Sequence, residues 1–133
     1  MTDHSDFVRT LYAAFGRGDL PTILDNCHKD VEWVSNGDPA RIPWTGARSG
    51  ADGVTAFFVS LGTHLDFEVV EPRQFCPSGD VVIVLGHTKA RHKHAGHGVF
   101  ACEWVQAFTV RDGRLARFQE LYDTAAIERA LAA

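Results

Sequence analysis

The stretch that most constrains this chain is its last long alternating segment, Val99 to Asp123 (VFACEWVQAFTVRDGRLARFQELYD). Apolar and polar residues alternate on both sides of Arg111-Asp112-Gly113, the pattern of two antiparallel strands joined by a tight hairpin. A loop of Asp112-Gly113 alone would set Gln106 opposite Gln119 and Val105 opposite Glu120. A three-residue loop with Gly113 in the left-handed conformation sets Gln106 opposite Phe118 and Trp104 opposite Glu120. A one-residue slip exchanges the two faces, so the apolar pattern decides between them. The three-residue loop gathers Trp104, Phe108, Val110, Phe118 and Tyr122 on one face. The shorter loop would place Arg117 and Gln119 among the large apolar groups. The pattern therefore predicts the three-residue loop. It puts Glu120 and Gln106 on the apolar face as diagonal neighbours, roughly 7–8 Å apart at the backbone.

A carboxylate on a face that should be core is the most informative residue in the chain. Burial disfavours its charged form, so Glu120 is either satisfied by a partner or lines a cavity. In a cavity it is a candidate general acid/base, with Gln106 orienting it or a ligand. The alternative is a structural Glu bonded to a neighbouring strand or to a Tyr hydroxyl.

With 133 residues the chain is sized for a single domain, 1–133, that can bury a real core. A net charge of −4 argues against a nucleic-acid surface or an anionic membrane as partner. The opening MTDHSDFVRT has no basic leader before an apolar run, and no apolar stretch approaches bilayer length, so a cytoplasmic location is expected. Cys27, Cys76 and Cys102 are odd in number with no CxxC spacing, which predicts free thiols.

Helical spacing of Phe7, Val8, Leu11, Tyr12 and Phe15 predicts a helix over Asp3–Gly16. Asp19 caps a short second helix with Pro21 in its first turn. DVEWVS, Asp30–Ser35, reads as a short strand with Val31 and Trp33 on one face. Asn36–Ser49 reads as a Pro/Gly-rich loop whose Trp44 folds back over something apolar. Val54, Phe57, Phe58 and Leu61 predict a third helix over Ala51–Leu61. From there the period changes to two. Strands are expected at Asp66–Phe75, Val81–His92 and in the final hairpin, then a helix over Thr124–Ala133 that Thr124 can cap. The order implies an α+β fold. A curved antiparallel (mixed) β-sheet wraps as a cone around three N-terminal helices, with a short C-terminal helix.

The segments LYAAFGRGD, DVEW, GARSGADGVTAFF and FTVRDGRLARFQELYDT resemble the SnoaL-like branch of the nuclear-transport-factor-2-like superfamily. That superfamily also contains ketosteroid isomerase, scytalone dehydratase and limonene epoxide hydrolase. The resemblance runs from about Asp6 to Leu131 and implies the conical α+β fold, but one such fold hosts many chemistries. In the polyketide-cyclase members a carboxylate on the last strand acts as acid/base, and it aligns with Glu120. Their partner His aligns with Gln106. This chain keeps the carboxylate and has an amide where those relatives have an imidazole. An amide can donate a hydrogen bond to a carbonyl or enolate oxygen but cannot shuttle protons.

HKHAGH places His92, His94 and His97 at a hairpin tip, with His87 upstream. Nothing around them supplies a fixed ligand framework, so they read as solvated turn histidines and no metal site is assigned. Absence of GxGxxG, P-loop, HExxH and GxSxG motifs leaves a cofactor-independent protein as the simplest reading. Trp33, Trp44, Trp104, Phe15, Phe58, Phe118 and Tyr122 are candidates to line a pocket, or else plain core. As a set they suit a small, mostly apolar ligand. The opposite sheet face carries Val105, Ala107, Thr109, Leu115 and Leu121. It is too apolar for water, so a homodimer through it is expected, as is common in the resembling families.

Three functions are compatible with these residues. The first is a small enzyme of isomerase, cyclase or lyase type, in which Glu120 moves a proton beside a carbonyl while Gln106 or Tyr122 stabilises the oxyanion. The second is a non-catalytic small-molecule-binding module. The third is a structural protein whose own side chains fill the hollow.

Overall fold

The computed structural model describes residues 3–94 and 96–132. Its elements are α1 (Ser5–Gly16), α2 (Leu20–Asp25), β1 (Cys27–Ser35), β2 (Gly46–Ser49), α3 (Gly50–His64), β3 (Leu65–Ser78), β4 (Val81–His92), β5 (Val99–Arg111), β6 (Arg114–Tyr122) and α4 (Thr124–Ala132). The strands form one curved, unclosed sheet in the order β2-β1-β6-β5-β4-β3, and with the helices they make the conical α+β fold. β1 runs parallel to β6, while the other neighbours are antiparallel.

α1 buries Val8, Leu11 and Ala14, a stripe of helical period, and begins at Ser5 rather than Asp3. Asp3 stays outside the helix and accepts the Ser5 N–H at 2.8 Å. Asp19 caps α2 as expected, accepting from the Thr22 N–H at 3.2 Å. β1 starts at Cys27, ahead of the expected Asp30, because its early residues already lie along β6, with an irregular step before Glu32. β2 was not anticipated. Its residues, GARS, carry no apolar alternation, and it is held by backbone pairing to β1 from Glu32↔Ser49 to Ser35↔Gly46. α3 continues past Leu61 to His64, where Thr63 Oγ1 donates to Val59 O and His64 Nδ1 bonds Ser60 O. β3 runs on through Pro77 to Ser78. As the sheet's edge strand it tolerates Pro72 and Pro77, and its register shifts twice, at Phe67/Val69 and Pro72/Gln74.

The final hairpin differs from expectation in an instructive way. Its loop is the two-residue Asp112-Gly113 turn, with φ of 53° and 73°, flanked by the pair Arg111↔Arg114. The register then shifts between Val110↔Leu115 and Thr109↔Arg117, so that one extra residue, Ala116, sits in a β-bulge on β6. The bulge restores the face assignment that the apolar pattern demanded, by a different route. Glu120 pairs directly with Gln106, and Trp104 with Tyr122. Gln106 and Glu120 are therefore opposite one another rather than diagonal. Leu115, expected on the outer face, is fully buried and belongs to the core, and Ala116 beside it in the bulge is buried as well.

Residues 36–45 fold back as expected, burying Ile42 and Trp44 almost completely. The chain then closes with α4, which turns Ile127 and Ala130 inward. Its cap is Asp123, whose carboxylate accepts the Ala126 N–H at 3.0 Å, and not Thr124. Ala95, in the HKHAGH turn, and Ala133, at the expected end of α4, lie outside the described residues. Among the described residues no helix is long and apolar enough to cross a membrane, and the three cysteines carry free thiols.

Candidate functional site

The inward face of the sheet and the inner faces of α1 and α3 enclose a cavity of about 120 Å³. One wall is aromatic. Trp33 on β1 stacks on Phe118 of β6 with ring centroids 4.2 Å apart, and Phe57 and Phe58 of α3 close on Trp33 at 5.5 Å each. The opposite wall is Tyr12 of α1 stacked on Trp104 at 6.2 Å, with Phe108 beneath it. Trp104 is fixed by its indole N–H, which donates to Thr88 Oγ1 at 2.7 Å. Toward the edge strand, Tyr12, Phe15, Phe67 and Val70 belong both to the cavity and to an outer groove that continues over Glu68, Val69 and Pro72. The opening thus lies between α1 and β3, beside the first bulge of β3.

Glu120 interrupts this apolar lining. It is only 9% exposed. Strand parity turns it inward on β6, and its two carboxyl oxygens face two different chains of donors. Ser35 Oγ, inward at the end of β1, donates to Glu120 Oε1 at 2.6 Å. Ser35 Oγ also lies 3.0 Å from the Tyr122 hydroxyl, which accepts from the Trp44 indole N–H at 2.8 Å. On the other side Gln106 Nε2 donates to Glu120 Oε2 at 3.1 Å. Gln106 Oε1 in turn accepts from the Tyr12 hydroxyl at 2.6 Å. Asn36 ties the same region to β6, its N–H donating to Glu120 O at 3.2 Å and its side chain accepting the Tyr122 N–H at 3.1 Å.

Burial pushes the Glu120 carboxyl up from 4.5 to about 7, and the hydrogen bonds from Ser35 and Gln106 offset only part of that penalty. Desolvation outweighs two donors because no cationic side chain lines the cavity. The Tyr12 and Tyr122 hydroxyls are shifted upward, first by burial and then by the Glu120 charge, so both stay protonated at neutral pH. Glu120 is therefore a carboxyl poised near neutrality in a largely aromatic hollow, able to take or give a proton.

A family model described as the SnoaL-like domain matches residues 8–118. The chain belongs to the SnoaL-like family. The wider nuclear-transport-factor-2-like (NTF2-like) superfamily supplies its structural relatives. An NTF2-like protein of unknown function from Burkholderia pseudomallei K96243 superposes with a TM-score of 0.89 at 28% identity, covering 100% of both chains. An NTF2-like protein from Burkholderia xenovorans LB400 does so at 0.88 and 29% identity, covering 98% of each. TerC, co-crystallized with polyporic acid, gives 0.84 at 26% identity, covering 99% of this chain and 100% of its own. No curated protein matches the chain.

In this SnoaL-like chain all nine residues singled out from sequence line one cavity: Glu120, Gln106, Trp104, Phe118, Tyr122, Trp33, Trp44, Phe15 and Phe58. What sequence reasoning missed is the polar support. Ser35 reads as a strand end and Tyr12 as one more apolar position of α1. Only β1–β6 pairing, with Ser35 beside Glu120, shows where Ser35 points. The signal available was parity, since Val31, Trp33 and Ser35 are two residues apart. The histidines also differ from expectation. His92 is buried, because the inward alternation of β4 through Val82, Val84, Gly86, Thr88 and Ala90 continues to its last residue. Its ring lies 6.1 Å from His64 and 5.9 Å from His94. Among the described residues no group of three His, Cys, Asp or Glu side chains is placed to hold a metal ion.

Proposed function

We propose that this SnoaL-like protein is a small, cofactor-independent acid/base enzyme, of isomerase, cyclase or lyase type, acting on a small apolar ligand that carries a carbonyl. Glu120 removes a proton from the carbon beside the carbonyl. The second Nε2–H of Gln106, and the Tyr122 hydroxyl once Glu120 holds the proton, are the donors available to the oxygen where negative charge develops. One observation carries this reading: an almost fully buried carboxyl, which burial pushes up to about 7, in the wall of a cavity lined mainly by aromatic and aliphatic side chains. A cavity of about 120 Å³ is close to the ~150 Å³ that holds a benzene ring, so the part of the ligand beside Glu120 is about one ring in size. The likeness to TerC, crystallized with polyporic acid, supports a small organic ligand in this fold. A homodimer through the outer sheet face is part of the proposal. Leu121 and Leu85 are 49% and 38% exposed there, beside half-buried Val105, Ala107 and Thr109.

The test needs no knowledge of the natural substrate. Cyclohexanone in heavy water exchanges its α-protons when a base enolises it, and NMR follows the loss of signal. The protein should accelerate this exchange, and Glu120→Gln should remove the acceleration by about 100-fold or more while the fold is kept. Exchange unchanged in that variant would overturn the assignment. A non-catalytic binding module is the second reading, favoured by the fact that both Glu120 oxygens already have donors within the protein. It predicts no exchange and a small molecule retained through purification, visible by native mass spectrometry.

A further inference from the structure

We infer that Ser35 and Tyr122 form a proton relay that presents the Glu120 proton to the ligand's oxygen at the Tyr122 hydroxyl. The inference rests on the acid/base reading of Glu120 and adds where its proton leaves the protein. The geometry is a chain of three contacts: Glu120 Oε1 to Ser35 Oγ at 2.6 Å, Ser35 Oγ to the Tyr122 hydroxyl at 3.0 Å, and the Trp44 indole N–H to that hydroxyl at 2.8 Å.

Counting protons along the chain leaves two arrangements. With Glu120 ionised, Ser35 donates to Glu120, and Tyr122 donates to Ser35 while accepting from Trp44. Every hydrogen then points toward the carboxylate, and none is offered to the cavity. With Glu120 protonated, the direction reverses. Trp44 Nε1 can only donate, and Gln106 faces Oε2 with an amide N–H, so the added proton belongs on Oε1, toward Ser35. Glu120 then donates to Ser35 and Ser35 to Tyr122. The Tyr122 oxygen now accepts from both Ser35 and Trp44, and its own O–H has no partner left except something in the cavity that Tyr122 lines. Transfer to a ligand oxygen balances as one proton moved. The Tyr122 O–H breaks as the ligand O–H forms, the Ser35 proton refills Tyr122, and the Glu120 proton refills Ser35, leaving a carboxylate.

Ser35 is 2% exposed, so its hydroxyl is shielded from bulk solvent. The other titratable groups that face Glu120 are Tyr12 from α1, Tyr122 on β6 and Cys102 from β5, all shifted upward mainly by burial, and α3 and β4 present none to it. His64 stands beyond the Trp44 ring, 6.1 Å from it, with His92 stacked behind.

The experiment compares two ring-sized probes, cyclohexanone, which accepts a hydrogen bond, and methylcyclohexane, which does not. Affinities are read from the tryptophan indole signals in 1H–15N NMR at pH 6 and pH 9. Cyclohexanone should bind about tenfold more tightly at pH 6, and methylcyclohexane equally at both. Ser35→Ala and Tyr122→Phe should each abolish the pH dependence while Glu120 still titrates, and if Tyr122→Phe does not fold, Ser35→Ala alone carries the test. Equal cyclohexanone affinity at both pH values in the unaltered protein overturns the relay. So does a pH dependence that survives Ser35→Ala with Glu120→Gln abolishing it, although Glu120 then remains the acid. A pH dependence that survives Glu120→Gln overturns the relay, whereas the acid/base reading falls separately, on cyclohexanone exchange unchanged in that variant.

Discussion

At the scale of single residues, the site turns on a conflict between two magnitudes at Glu120. Desolvation raises its pKa, two hydrogen bonds lower it, and desolvation wins because the surrounding atoms are mostly aromatic carbon. This has a consequence for stability. Between 4.5 and about 7 the folded protein holds a proton that the unfolded chain has already released. The stabilising contribution is therefore complete at low pH and is lost as pH rises through 7, amounting to about 3 kcal/mol at most. Glu120→Gln lacks this ionisation. Urea unfolding at pH 5 and pH 8 should show the variant gaining about 2–3 kcal/mol relative to the parent protein across that interval. A constant difference would mean that Glu120 ionises in the fold as it does in water. Ser35→Ala removes one of the two donors and should raise the Glu120 pKa further, measurable by carboxyl 13C NMR.

At the scale of elements, the cavity exists because backbone details leave room for large side chains. Gly86 on β4 pairs with Trp104 on β5, and a Cβ at Gly86 would lie 2.3 Å from the Trp104 ring. Gly86→Ala should displace the Trp104 wall and cost about 1–3 kcal/mol in thermal or urea unfolding. Gly113, at φ 73°, closes the hairpin, and Gly113→Val should cost about 1–2 kcal/mol by the same measurement. These elements also show what was legible in the sequence. Faces were, because apolar alternation and helical spacing report burial directly: Val31 with Trp33, the stripe of α1, the inward turn of Glu120. Pairing was not. Alternation is blind to an inserted residue that restores parity, so the Ala116 bulge was invisible and Glu120 was read as diagonal to Gln106 instead of opposite it. β2 was missed because backbone hydrogen bonds, not side chains, make it a strand. Ser35 and Tyr12 entered the site through long-range contacts, which no local pattern records.

At the scale of the whole molecule, the curved sheet has two apolar faces, one against the helices and one outward around Leu85 and Leu121. If two copies share the outer face, the double change Leu85→Glu and Leu121→Glu should convert a dimer to a monomer in light scattering and leave the fold unaltered by circular dichroism. The inner face places the Glu120 carboxyl in the cavity wall, and the proposed acid/base chemistry rests on how that carboxyl titrates. Carboxyl 13C NMR of Glu120 across pH 4 to 9 tests this most directly. A midpoint at about 7 is the predicted result, and a midpoint at 4.5 or below would contradict it.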